Sequence, residues 1–165
     1  MTVLRTMKFF LIVSVSLMAI SCQHTMNKTH AFRLKPGNDL KKEIDSYVKA
    51  NQIRAGWISC GVGSLTDYHI RFANQPQGTK GSGHFEIVSL IGTVSVYGSH
   101  LHISVSDSTG KTIGGHLLDS NLVYTTAEIV IQESGDFIFT REHDGSTPWE
   151  ELQVKRNEPN QQEAQ

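Results

Sequence analysis

The chain has 165 residues, enough for one domain with its own core. Hydrophobic residues make up 38%, charged residues 19%, and the formal net charge is -1. That balance excludes a disordered acidic chain, a polybasic arm and a surface built mainly for phosphate, and two cysteines exclude a disulfide framework.

Residues 1–21, MTVLRTMKFFLIVSVSLMAIS, read as an export signal. Arg5 and Lys8 form a positive start, and Phe9 to Ile20 is an apolar run broken only by Ser14 and Ser16. The run is too short to span a bilayer comfortably. Met7 opens the same pattern as well as Met1 does. Ala19-Ile20-Ser21-Cys22 resembles a bacterial lipobox, in which Cys22 becomes a lipidated N-terminus and anchors the chain to a membrane. The alternative is plain cleavage after Ser21 and a secreted or periplasmic product. Removing residues 1–21 takes away two bases and no acids, leaving 13 bases against 16 acids and a net charge of -3.

Residues 22–30 read as a polar linker, 30–156 as the folded domain and 157–165, NEPNQQEAQ, as a disordered tail. Phe32-Arg33-Leu34 is a short strand and Pro36-Gly37 a turn. Asn38 or Asp39 caps a helix with Leu40, Ile44, Tyr47 and Val48 at helical spacing, ended by Asn51-Gln52. Segments 55–60, 64–73, 84–97, 99–106, 111–118, 122–132 and 135–141 read as strands. One principal helix and about seven strands predict an α+β fold with a mainly antiparallel, curved sheet. Cys60, in the apolar run Trp57-Ile58-Ser59-Cys60, is expected to be buried and inert. Ser64 is expected at a bend between strands.

Eight histidines are many for this length, and three of them carry a geometric argument. His100 and His102 flank Leu101, so on a strand both imidazoles leave one face, about 7 Å apart at the backbone. Asp107-Ser108-Thr109-Gly110 suits a three-residue hairpin loop with Gly110 left-handed in a bulge. That loop sets Asp107 opposite Lys111 and His102 opposite His116, on the same face. A two-residue loop would send His116 to the other face. Gly114-Gly115 gives the second strand freedom to bend toward the site. Three neutral imidazoles with an open fourth position suit Zn²⁺ and a catalytic or ligand-binding role. The competing reading is three surface or interface histidines making hydrogen bonds.

The remaining histidines carry less. His24 and His30 fall in the linker, His143 in a turn, and His69 alternates with Arg71 toward solvent. His84 and Glu86 share a face, and either line a site or pair with each other. Glu128 is a solvated strand residue, a general base, or a residue that hydrogen-bonds a ligand side chain. No phosphate loop, dinucleotide fingerprint or nucleophile elbow is present in the sequence.

Five ordered motifs resemble a known family. They are Gly61-Val62-Gly63-Ser64-Leu65, the run Gly83 to Thr93, His100-Leu101-His102-Ile103-Ser104-Val105-Ser106-Asp107 with Gly110, Gly114-Gly115-His116-Leu117, and Thr126 to Ile131. Together they resemble the PPC domain (plants and prokaryotes conserved, domain of unknown function 296) over about 30–156. The resemblance implies an α+β fold and a homotrimer. In plants the domain follows a DNA-binding AT-hook, which this chain lacks. Its histidines match the prokaryotic type, which implies metal ligation at His100, His102 and His116.

Three functions follow. The first is an exported, trimeric, zinc-binding domain with a small-molecule or catalytic role. The second is a binding or assembly module without chemistry. The third, DNA binding by analogy with the plant proteins, is opposed by the acidic mature charge, the export signal and the missing AT-hook. No reaction or substrate is assigned by the sequence.

Overall fold

The computed structural model describes residues 27–158. The export signal, Cys22, His24 and residues 159–165 lie outside the described residues. In chain order the described elements are β1 (Lys28–Leu34), α1 (Leu40–Ala50), β2 (Gly56–Arg71), β3 (Thr79–Ser95), β4 (Gly98–Ser106), β5 (Thr112–Leu117), β6 (Leu122–Glu133), β7 (Phe137–Glu142) and β8 (Glu151–Arg156).

Helix α1 follows from its spacing. Leu40, Ile44 and Val48 are its buried face, and each such side chain contributes roughly 1.5–3 kcal/mol by leaving water. Asp39 flanks the N-terminus but makes no side-chain cap. Its Oδ2 instead accepts the Ser120 backbone N–H at 2.7 Å, tying the helix start to the β5–β6 connection. The helix ends at Asn51, whose backbone N–H reaches the Tyr47 carbonyl.

Six strands form an antiparallel sheet in the order β1-β6-β2-β3-β4-β5. Strand β5 also returns to the end of β2, pairing Ile70 with Leu117 and Arg71 with His116. Strands β2 to β5 therefore curl into a closed corner, which is the physical form of the expected curvature. The core lies inside that curl and under α1, with Leu65, Ile70, Leu101, Ile103, Leu117, Ile129 and Ile131 essentially inaccessible. Hairpin β7–β8 is a separate two-stranded sheet, anchored where the Phe139 N–H donates to the Arg54 carbonyl at 2.9 Å.

Several expectations need correction. Segments 55–60 and 64–73 are one bulged strand, β2, so Ser64 is no inter-strand bend. It is buried, with its hydroxyl 2.8 Å from that of Thr125. Cys60 is exposed, because the register shift between Ile58 and Cys60 breaks the alternation that would have turned it inward. Strand β1 begins at Lys28, so His30 belongs to a strand, and its Nε2 lies 2.8 Å from Glu133 Oε2. Strand β8 was not expected, although Leu152 and Val154 alternate with polar residues.

Candidate metal centre

The β4–β5 turn determines the site. Asp107 N–H donates to the Lys111 carbonyl at 3.0 Å, and Gly110 N–H to the Asp107 carbonyl at 2.9 Å. Asp107 Oδ1 accepts the Thr109 N–H at 2.8 Å and the Lys111 N–H at 3.1 Å, which stiffens the loop. Gly110 has φ +83°, the left-handed bulge position. From there the register runs Ser106 opposite Thr112 through to His102 opposite His116. Leu101, Ile103 and Val105 are buried, so the alternation of β4 turns His100 and His102 outward.

The structure brings together all three histidines singled out by the sequence. One ring nitrogen from each of His100, His102 and His116 lies within 4.8 Å of the others. His100 Nε2 and His102 Nε2 are 3.2 Å apart. Two nitrogens bound to one tetrahedral zinc at 2.0–2.1 Å sit about 3.3 Å apart, so this edge already has metal-site dimensions. His116 is the most enclosed of the three, and its buried Nδ1 has no hydrogen-bond partner. A buried imidazole nitrogen left without a partner is a place where an ion or a water can bind. Burial, followed by the charges of His100, Arg71 and His102, lowers the His116 pKa to about 4. Burial, then Arg141 and His102, also lowers that of His100, against a smaller upward pull from Glu151. Both effects favour the neutral, ligand-competent ring.

Two clefts adjoin the cluster, between the main sheet and the C-terminal hairpin. The larger, about 440 Å³, is lined by His100, His116, Arg71, Arg141, Trp149 and Glu151 among others. The smaller, about 280 Å³, reaches His102 and shares His100, Arg141 and Glu151 with the first. Arg141 Nη2 donates to Thr93 Oγ1 at 2.7 Å, and the Arg71 guanidinium lies 5.3 Å from the Trp149 ring centroid. Sequence reasoning missed Arg71, Arg141, Trp149 and Glu151 as neighbours of the cluster. Arg71 enters the sequence reading only as the residue with which His69 alternates, and its place opposite His116 depends on the return of β5 to β2. Arg141, Trp149 and Glu151 arrive on a hairpin half of which was unforeseen.

The other sequence candidates lie elsewhere. The His84 ring packs against Tyr124, with centroids 4.3 Å apart. His69 Nδ1 meets the Asp119 carbonyl oxygen at 2.8 Å. Glu128 is exposed on β6, opposite Arg33 and Val62 and away from both clefts.

The chain is similar to proteins of known sequence and structure. It is 38% identical over 129 residues to the bifunctional protein GlmU of a Synechococcus strain, matching 78% of this chain. It spans about a fifth of the length of such curated relatives, at 21%. A hypothetical protein of Salmonella enterica is 37% identical with TM-score 0.79, covering 81% of this chain and 97% of its own. A metal-containing protein of Archaeoglobus fulgidus is 27% identical with TM-score 0.64, over 76% and 93% of the two chains. The family match spans residues 23–135, the stretch that holds the three histidines and the strand register that gathers them. By that match the chain belongs to the Plants and Prokaryotes Conserved (PCC) domain family.

Proposed function

We propose that this protein binds a divalent metal ion, zinc by preference, through His100, His102 and His116, and presents it to a small-molecule cleft. The observation that carries the reading is the convergence of three ring nitrogens within 4.8 Å, one of the rings holding a buried and unpartnered nitrogen. An all-imidazole donor set suits zinc and leaves a fourth position open. The similarity to a protein described as metal-containing supports it. A bound ion would supply Lewis acidity to an oxygen ligand in that position. The chain's own residues do the rest: Arg71 and Arg141 orient an incoming group, and the hairpin shields the site from bulk water. The bifunctional activity of the GlmU relatives stays with those proteins, of which this chain spans a fifth.

Export, by signal cleavage or with a lipid on Cys22, is part of the same proposal and rests on residues 1–22. So is the homotrimer, which the family resemblance implies. The exposed apolar residues Val62, Val88, Ile91 and Tyr124 on strands β2, β3 and β6 support an association surface. The same residues favour the second reading, an assembly module without chemistry. DNA binding is the weakest reading, because cleavage after Ser21 would leave a net charge of -3. Elemental analysis of the purified protein beside His102→Ala tests the proposal. Near-stoichiometric metal that disappears in the variant is expected. Full metal content in the variant would sink it.

A further inference from the structure

The larger cleft contains two arginines, Arg71 and Arg141. Among the described residues neither Arg71 nor Arg141 is in a salt bridge. Arg141 spends one donor on Thr93, and Arg71 lies against the face of Trp149, which leaves the edge of each planar fork available. They approach from β2 and β7, on two sides of one cavity that also exposes His100 and His116. Glu150 and Glu151 line it as well and balance the two arginines. Glu151 accepts a hydrogen bond from Thr147 and is outside the cluster of potential metal ligands. A divalent ion held by three neutral imidazoles would therefore keep a net positive charge among its own donors, with Glu151 acting on the site only from outside that set. Such a cleft calls for an anion. Trp149, Leu118 and Tyr97 add apolar walls, which an inorganic anion would leave uncovered.

We propose that this cleft binds a small organic carboxylate, gripped by Arg71 and Arg141 and directed at the histidine cluster, with its carbon body against Trp149 and Leu118. The inference rests on the metal reading of the histidines, because the ion supplies the surplus charge. A cleft of about 440 Å³ accommodates such a ligand. The family match ends at residue 135, so Arg141 and Trp149 lie beyond it, and the ligand would be read partly by the C-terminal hairpin.

The chain has two tryptophans, so Trp57→Phe leaves Trp149 as the only indole reporter. Zinc-loaded protein in this background is titrated with benzoate, its uncharged isostere benzamide, and inorganic phosphate, with zinc measured on the same samples. Benzoate should give a saturable emission change at least about tenfold tighter than either control. Arg71→Gln and Arg141→Gln should each weaken benzoate about tenfold while retaining zinc. Arg71→Lys, which keeps the charge but not the fork, should fall between wild type and Arg71→Gln. Equal binding of benzoate and benzamide, a preference for phosphate, or unchanged affinity in all three arginine variants would overturn the carboxylate assignment and leave the metal site standing. Protein that takes up no zinc would remove the metal reading and this inference with it.

Discussion

His116 shows how burial sets chemistry at the level of one side chain. It is less exposed than His100 and His102, pairs across the ladder with both His102 and Arg71, and has its pKa lowered to about 4. An unfolded histidine titrates near 6.5. Between those values the unfolded chain takes up a proton that the folded one refuses. The stability contribution is therefore full above about pH 6.5 and is lost as the pH falls toward about 4. Melting temperatures of the metal-free protein should fall across that window, and His116→Gln should flatten the slope. Some slope should persist, because the pKa of His100 is lowered too. Identical slopes in the two proteins would contradict the burial argument. The histidine triad was legible because two-residue spacing and one hairpin loop determine where three side chains point. Arg71 was not, because its neighbour in space is 45 positions away on a strand with which the turn chemistry says nothing about pairing.

The elements explain why the triad is held. Gly115 lies between Arg71 on β2 and Ile103 on β4, and a Cβ there would come within 2.5 Å of the Arg71 carbonyl oxygen and 3.1 Å of Ile70 Cγ2. The nearest obstacle is backbone, which cannot swing aside. Gly115→Ala should therefore push β5 off β2, cost about 1–3 kcal/mol, and reduce metal retention at the adjacent His116. Denaturant melts and metal content would check it, and a fully stable, fully loaded variant would show that β5 tolerates the shift. The helix and strands β3 to β6 were readable from their periodicities. The β2 bulges were not, since a bulge changes the exposure of Cys60 without marking the residue types around it. Hairpin β7–β8 was half-visible: the Ser-Thr-Pro segment before β8 reads as loop, and the strand is short and strongly polar.

At the scale of the whole fold, the described residues form a curled sheet, a helix on the core, and a C-terminal hairpin that turns the histidine face into a cleft. The fold class was legible because β-branched alternation and glycine punctuation run through most of the chain. Assembly was not, since surface apolar residues do not name their partner. If Val62 and Val88, 50% and 59% exposed, lie in a trimer contact, sedimentation should give three times the chain mass and Val88→Glu should give monomers. A monomeric wild-type protein would refute the trimer. The central claim concerns the metal. Its most direct test is the metal stoichiometry of the purified protein by elemental analysis, beside His102→Ala. About one zinc per chain, lost in the variant, is the predicted result. Metal-free wild-type protein that takes up no added zinc, or undiminished zinc in the variant, would contradict it.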